Sequence, residues 1–227
     1  MDYKIVEVKE NLLIENDKKA EELRNKLSKK GIVFINVMAS PGSGKTTLLI
    51  NIINRLKKDY SIGVMEADID GDVDADRIKK QTGVASIQVH TSGACHLTAQ
   101  MVEDAIDSFD IKDINLLILE NVGNLVCPAE FDTGAHFNLV LLSIPEGDDK
   151  PLKYPLMFEV ADIVAITKID TLPAFNFDFE KCEKNIHYRN KDIPIFKISA
   201  LCDEGVDELA KTIKEKIAEA INLLKIS

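Results

Sequence analysis

The sequence predicts an α/β fold, a doubly wound and mostly parallel sheet of about seven strands with helices on both faces. Short apolar runs typical of buried strands recur along the 227 residues and alternate with amphipathic helical patterns. A hydrophobic content of 45% is sufficient for one substantial core. No repeat, low-complexity segment or linker interrupts the pattern. We therefore expect one domain over residues 1–227, with residues 1–30 as an amino-terminal strand and helix extension.

The individual elements can be assigned in chain order. Residues 3–9 alternate like a short strand, and a helix is expected from Asn16 to Lys30, with Gly31 as its stop. The β-branched run IVFINVMA predicts a strand, and an apolar stripe after the following glycine-rich turn predicts a helix. Further strand candidates lie at residues 61–67, 85–89, 113–119, 137–143, 162–167 and 194–198, and further helices at 97–108 and 205–224. In such sheets the functional loops gather at the carboxyl ends of the strands.

Residues 32–48, IVFINVMASPGSGKTTL, carry the strongest functional signal of the chain. Gly42 and Gly44 allow the backbone to turn its N–H groups inward, and the helix that starts near Lys45 directs its positive dipole end at phosphate. The Lys45 ammonium can reach β- and γ-phosphates, and the Thr46 hydroxyl can bind Mg²⁺. Ala39 stands where the usual G-x-x-x-x-G-K-[ST] pattern has its first glycine. The motif predicts a P-loop for a nucleoside triphosphate, formed by Gly42, Ser43, Gly44, Lys45, Thr46 and Thr47.

Two later motifs indicate which base the nucleotide carries. Residues 162–170, DIVAITKID, read as a buried strand that ends in Thr167, Lys168 and Asp170, similar to the guanine-reading N/T-K-x-D motif of GTPases. The Asp170 carboxylate would accept hydrogen bonds from guanine N1–H and its exocyclic amine, while the stem of Lys168 lies along the base. Adenine lacks that pair of donors, and each charge-assisted hydrogen bond contributes about 1.5–3 kcal/mol. A second strand, PIFKISAL, ends in a loop similar to the one that backs the base in GTPases. GTP is therefore favoured over ATP, with base contacts from Lys168, Asp170, Ser199, Ala200 and Leu201.

Composition and charge exclude several classes of partner. The net charge of −10 argues against nucleic acid and against an anionic membrane, since both favour a basic surface. The start, MDYKIVEVKEN, has no signal-peptide core, and no apolar run approaches a membrane span. We expect a cytoplasmic protein. Four scattered cysteines do not form a secreted disulfide framework, so they should be reduced and available as metal ligands or core residues.

Two acidic positions at strand ends are candidate magnesium ligands. Asp68 ends a predicted strand and faces the P-loop, and Glu120 occupies the corresponding place after LLIL. With Lys45 and Thr46 they make up the expected catalytic set. The acidic loop DIDGDVDAD resembles a calcium site, but it lacks the glycine and glutamate that an EF-hand loop requires. We interpret its other carboxylates as a solvated loop, namely Asp72, Asp74 and Asp76.

The segment after Glu120 has the spacing of a nucleotide switch. Glu120 and Gly123 form an E-x-x-G sequence similar to the D-x-x-G motif of GTPases, in which the glycine N–H senses the γ-phosphate. Asn124 follows Gly123 where a water-positioning glutamine would be expected, so intrinsic hydrolysis should be slow. The missing catalytic group could come from across a dimer, or from Asp72 or Asp76.

Soft metal ligands occur in two loops at the same edge of the sheet. Cys95 and His96 follow the strand at 85–89, and Cys127 lies seven residues beyond Glu120. Thiolate and imidazole suit Zn²⁺ or Ni²⁺, although on spacing alone both cysteines could be ordinary buried thiols. Three ligands leave an open coordination position or a site shared across a two-fold dimer. His90 and His136 could also contribute, whereas we interpret as structural Cys182, Cys202 and His187.

Taken together, the segments ASPGSGKTT, MEAD, GACHL, ENVGNLVCP, GDDKPLKYP and TKID resemble the hydrogenase nickel-incorporation GTPase family of the HypB type. The resemblance covers residues 30–205. It implies a homodimeric P-loop GTPase and metallochaperone that assists nickel delivery to [NiFe]-hydrogenase. It also implies two partners, a small nickel-binding accessory protein and the precursor of the hydrogenase large subunit. By the same resemblance, Cys95, His96 and Cys127 would bind Ni²⁺ or Zn²⁺ near the subunit interface.

Some relatives in this family carry an amino-terminal C-x-x-C-G-C motif or a histidine-rich tract, and this sequence has neither before its P-loop. The expected mechanism is that loss of the γ-phosphate shifts Gly123 and thereby moves Cys127 relative to the other two ligands.

Three rival functions remain open. They are an accessory GTPase for urease or a cobalamin-dependent mutase, an ATP-dependent kinase or ligase, and a metal-sequestering scaffold in which the nucleotide is structural.

Overall fold

The computed structural model describes residues 8–68, 73–91, 93–109 and 111–224. Their strands form one seven-stranded sheet in which every neighbouring pair is parallel. The spatial order is β3-β2-β4-β1-β5-β6-β7. The strands are β1 (Val33–Ala39), β2 (Ile62–Asp68), β3 (Ala85–His90), β4 (Leu116–Glu120), β5 (Phe137–Ser143), β6 (Ile163–Thr167) and β7 (Ile195–Ile198). The predicted doubly wound parallel fold is thus confirmed.

Helices cover both faces of this sheet. They are α1 (Val8–Lys29), α2 (Lys45–Leu56), α3 (Val73–Thr82), α4 (Ala99–Asp107), α5 (Cys127–Glu130), α6 (Lys150–Lys153), α7 (Pro155–Glu159), α8 (Phe179–Arg189) and α9 (Val206–Leu224), with 3₁₀ turns at Ile144–Glu146 and Ile169–Ala174. Among the described residues, no helix is both long enough and apolar enough to cross a membrane.

The central strand β1 shows how the two faces are divided. Val33 and Ile35 point into a core cluster that contains residues of α2 and α9, whereas Phe34 packs with residues of α1 and α4 and Met38 with residues of α7 and α8. Alternate side chains of a strand point to opposite faces, so a strand covered on both sides must be apolar throughout. All seven residues of β1 are buried, and Asn36 is the one polar residue among them.

The amino-terminal prediction was wrong in its boundaries. Helix α1 begins at Val8 rather than Asn16, so the last two residues of the predicted strand at 3–9 are helical, and the others lie outside the described residues. No glycine or proline interrupts the chain before Gly31. The helix-favouring Glu, Lys and Leu residues extend the helix on the amino-terminal side of its buried residues. Asn16 begins that stripe. Its side chain donates to the carbonyl of Asp132 (2.8 Å) and accepts from the N–H of Ala99 (2.9 Å), which fixes α1 against α4.

Candidate nucleotide and metal site

The P-loop joins β1 to α2 and accommodates its unusual first residue without strain. Ala39 is the last residue of β1, where it is fully buried and pairs with Leu141, so the backbone there is ordinary extended strand. Gly42 and Gly44 have φ angles of 71° and 92°, the region that favours glycine. The turn therefore needs its glycines at these two positions and not at Ala39. The ammonium of the buried Lys45 donates to the carbonyl of Ser40 at 3.3 Å within the loop.

A pair of buried glutamates lies directly below the P-loop. The hydroxyl of Thr46 donates to Oε1 of Glu120 (2.9 Å), and Glu66 on β2 is in register with Glu120 on β4. Only 3% of Glu66 and 2% of Glu120 are exposed. Burial, followed by the neighbouring Glu120, raises the pKa of Glu66 to about 11, and burial also raises the pKa of Glu120.

Glu66 was not among the predicted site residues. Two signals could have identified it. It is a charged residue within the otherwise apolar run IGVMEA, and it lies two positions before Asp68, which places both side chains on the same face of β2.

The predicted magnesium and phosphate residues surround one cavity of about 480 Å³. Asp68 is exposed at the carboxyl end of β2 and lines this cavity together with Lys45, Thr46 and Glu120. Its other lining residues include Pro41, Gly42, Gly44, Thr47, Glu66, Asp74, Arg77 and Gly123. The interpretation of Asp74 and Asp76 as part of a solvated loop was wrong, because both lie in the first turn of α3. Asp74 lines the cavity, Asp76 pairs with Lys80 at 2.6 Å, and Asp72 lies outside the described residues.

The oxygen atoms in this cavity fit a hard divalent cation. Oε2 of Glu66 and Oε2 of Glu120 are buried without a hydrogen-bond partner in the described structure. A hydroxyl and several carboxylates are the ligands that Mg²⁺ prefers beside nucleotide phosphates. Thr46, Asp68 and Glu120 are the residues that would hold it, and the ion would neutralise charge on the transferred phosphoryl group.

Gly123 connects this cavity to the metal-ligand loop. A Cβ atom at Gly123 would lie 3.0 Å from the Cα, N and Cγ atoms of Pro41, so a side chain there would collide with the P-loop. Asn124 comes next, and its amide links two loops. Its Nδ2 donates to the carbonyl of Cys95 (3.2 Å), and its Oδ1 accepts from the N–H of Val126 (2.9 Å), the residue before Cys127. The segment that touches the P-loop is therefore hydrogen-bonded to both thiol loops.

The two segments predicted to read the base lie next to each other at the other end of the P-loop. Thr167 donates to the carbonyl of Ser43 (2.8 Å), which ties β6 to the phosphate loop. Lys168 adopts a left-handed backbone with φ of 60°, and its Cε lies close to Gly44. The buried hydroxyl of Ser199 donates to Oδ1 of the exposed Asp170 at 2.6 Å. This bond orients the Asp170 carboxylate.

The loop that carries Ser199 is itself fixed in place. The N–H of Cys202 donates to the Ser199 hydroxyl (3.1 Å), and Asn51 of α2 donates to the carbonyl of Ala200 (2.8 Å). Leu201 is 81% exposed. The predicted base loop is therefore anchored on the P-loop helix, and the Leu201 side chain is exposed.

Cys95, His96 and Cys127 converge into one cluster. The two Sγ atoms lie 2.9 Å apart, Nδ1 of His96 is 3.7 Å from Sγ of Cys95, and the three ligand atoms all lie within 4.8 Å of one another. Burial lowers the pKa of His96, which favours the neutral imidazole, the form that binds a metal. The ring stacks on Phe131 with 3.8 Å between centroids. Within the described segments this is the only such cluster of three.

The other candidate histidines and cysteines lie outside this cluster. His136 is partly buried. Its Nδ1 accepts from the N–H of Phe34 (2.9 Å), its Nε2 lies 3.0 Å from the Ser28 hydroxyl, and desolvation lowers its pKa to about 4. His90, at the end of β3, does not join the cluster either.

Of the residues interpreted as structural, Cys182 is fully buried, and burial raises its pKa to about 12. His187 is on the surface, with Nε2 3.2 Å from the carbonyl of Ile193. Cys202 is exposed and lies outside the cluster. The turn that holds it is fixed by its backbone N–H, which leaves the thiol itself in solvent.

Comparison with known proteins identifies the family. Residues 33–197 match the family described as CobW/HypB/UreG, nucleotide-binding domain. Over 220 residues, 95% of this chain and 90% of the other, the sequence is 42% identical to the hydrogenase/urease maturation factor HypB of Helicobacter pylori. The chain belongs to the HypB family. It is also 44% identical over 205 residues to the hydrogenase maturation factor HypB of Escherichia coli, covering 90% of this chain and 70% of that protein.

Solved HypB structures share the fold. The crystal structure of HypB from Helicobacter pylori in complex with nickel superposes with a TM-score of 0.85 at 42% identity, over 90% of this chain and 96% of that one. HypB from Archaeoglobus fulgidus gives a TM-score of 0.82 at 33% identity, over 90% and 99% of the two chains. The present structure is thus a HypB-type nucleotide-binding domain of the P-loop NTPase class.

Proposed function

We propose that this HypB-family protein hydrolyses GTP with Mg²⁺ and uses the nucleotide state to control a nickel site formed by Cys95, His96 and Cys127. The observation that carries the proposal is the segment Glu120–Cys127. Its first residue bonds Thr46 of the P-loop, Gly123 packs on Pro41, and its last residue is a thiol of the metal cluster. A γ-phosphate that attracts the Gly123 N–H would therefore act on a segment whose other end holds a metal ligand.

The proposed client is [NiFe]-hydrogenase, with nickel as the cargo that the cluster holds and releases. The relatives named as hydrogenase maturation factors and the nickel complex of one of them support this assignment. We extend it to the two partners implied by the sequence, a nickel-binding accessory protein and the large-subunit precursor, and to the cytoplasm as the place of action. Zn²⁺ is the alternative occupant because the same thiolate and imidazole ligands suit it.

A homodimer is part of the proposal because the cluster is incomplete. Two thiols and one imidazole leave at least one coordination position of a four-coordinate metal open, and Cys95 is exposed. A second copy could fill that position from its own cluster across a two-fold axis.

The second candidate client is urease, since the Helicobacter pylori relative is named for both hydrogenase and urease maturation.

Exchanging the base specificity tests the GTP assignment. In Asp170→Asn the amide can no longer accept from both guanine N1–H and the exocyclic amine, so GTP binding should weaken by about 100-fold or more, the equivalent of two charge-assisted hydrogen bonds. Xanthosine triphosphate carries a carbonyl in place of the amine and should bind the variant better than GTP. Fluorescence competition against GTP, xanthosine triphosphate and ATP measures both changes.

Asp192→Asn provides the matched control, because it removes a carboxylate from the exposed loop before β7 and should leave GTP binding unchanged. Equal affinity of wild-type protein for ATP and GTP would contradict the assignment and favour an ATP-dependent enzyme.

A further inference from the structure

Arg77 is a cationic side chain at the nucleotide cavity that neither the P-loop motif nor the base-reading motifs include. It lies on α3, is partly buried, and lines the cavity beside Thr47 and Asp74. Its Nη2 donates to the hydroxyl of Thr47 at 3.0 Å. Within the described parts of the chain it makes no ion pair with any carboxylate, although Asp74 lies on the same helix.

Among the described residues, the guanidinium of Arg77 has no carboxylate partner. Four carboxyl side chains line the cavity, and Lys45 and Arg77 are the only cations among its described lining residues. The four carboxyl groups are Glu66, Asp68, Asp74 and Glu120. Arg77 forms an ion pair with none of these four groups and bonds a neutral hydroxyl instead, so no described carboxylate occupies its remaining donors. Its planar fork of donors matches the geometry of phosphate oxygens.

The contact with Thr47 indicates which phosphates are within reach. Thr47 is in the first turn of α2, directly after the residue whose hydroxyl is expected to bind Mg²⁺. In a P-loop the backbone N–H groups of this region cradle the α- and β-phosphates, whereas the lysine reaches towards the β- and γ-phosphates. A group that bonds the side chain of Thr47 therefore approaches the nucleotide from the α- and β-phosphate side.

We propose that Arg77 is a second cationic ligand of the bound nucleotide, contacting its α- and β-phosphates from α3. The assignment rests on the proposed nucleotide-binding function and adds a residue to it. Because GDP retains both phosphates, Arg77 holds GDP as well as GTP and contributes to affinity rather than to recognition of the γ-phosphate. It also attaches α3, which begins at Val73 within the acidic segment, to the nucleotide in both states.

Titration with fluorescent GDP and with a non-hydrolysable GTP analogue tests this assignment. Arg77→Gln should weaken binding of both nucleotides by a similar factor of about 10- to 100-fold, and Arg77→Lys should retain part of the affinity because it keeps the charge without the fork. Lys80→Gln is the matched control, since it removes the same charge from the exposed face of the same helix. Thermal melting without nucleotide shows whether each variant is folded.

Three results would overturn the assignment. Arg77→Gln could bind GDP within two-fold of wild type, it could lose no more affinity than Lys80→Gln, or it could weaken the GTP analogue while leaving GDP unchanged. GDP affinity is measured without turnover, so absence of GTP hydrolysis would contradict the proposed function but leave this test valid. If wild-type protein binds no guanine nucleotide, both proposals fall together.

Discussion

Replacing Lys45 with alanine is expected to reduce GTP turnover by about 100- to 1000-fold, the effect of removing one preorganised charge from a phosphoryl-transfer site. Lys45 is buried, and among the described residues its ammonium bonds the Ser40 carbonyl alone, at 3.3 Å, which keeps the ammonium within the phosphate loop. No other side chain in the described cavity can replace it at the β- and γ-phosphates, because Arg77 approaches beside Thr47. Steady-state phosphate release measures the rate.

Lys58→Ala is the control for this substitution, because Lys58 is exposed beyond the other end of α2 and its loss should leave the rate unchanged. A Lys45→Ala protein that retains more than about a tenth of wild-type turnover would contradict a P-loop mechanism, which assigns several kcal/mol of stabilisation to such a charge. Wild-type protein without turnover would instead favour the scaffold function, in which bound nucleotide only stabilises the fold.

Loss of either cluster thiol is expected to weaken nickel binding by about 100-fold or more, since removing a direct ligand should cost at least as much as removing a supporting one. The substitutions are Cys95→Ala and Cys127→Ala. Their Sγ atoms lie 2.9 Å apart, so one metal ion can contact both. Anaerobic titration with Ni²⁺ against a chromophoric chelator gives the affinity.

Cys202→Ala is the matched control, because Cys202 is also exposed but lies outside the cluster. Its nickel affinity should equal that of wild type. If the three alanine variants lose affinity equally, or if none does, the metal assignment fails and the protein remains a nucleotide-binding member of the HypB family with an unknown cargo.

The sequence predicted most of the fold because its signals are local and strong. The strand β1, the glycine turn and the helix α2 follow from one continuous segment, and the alternation of apolar runs with helices leaves few topologies other than a parallel sheet. The error at α1 has the opposite cause. A few alternating apolar and polar residues fit a strand and a helix equally well when no neighbouring motif favours one of them. The start of α1 at Val8 could therefore not be predicted from the pattern.

The sequence predicted those site residues whose role follows from their type and spacing. It did not predict the roles that depend on which distant residues pack together. Lys45 and Thr46 stand in a P-loop motif, and the cluster thiols follow strands at the same edge of the sheet, so few other roles fit these positions. The roles of Glu66 and Asn124 depend on residues that are distant in the sequence. Burial and then Glu120 raise the pKa of Glu66, and Asn124 bonds the backbone of Cys95 and Val126. His136 could have been a metal ligand by its type, but both of its ring nitrogens have other partners. These partners are the backbone N–H of Phe34 and the Ser28 hydroxyl.

The most direct test of the account is a nickel titration of anaerobic protein with either GDP or a non-hydrolysable GTP analogue bound, in wild type and Asn124→Ala. We expect the nickel dissociation constants of wild type in the two states to differ by about 5- to 150-fold, the usual range for coupled sites. Asn124→Ala should bind nickel but reduce that difference, because it loses the hydrogen bonds to Cys95 and Val126. Equal nickel affinity of the wild-type protein in both nucleotide states would contradict the account.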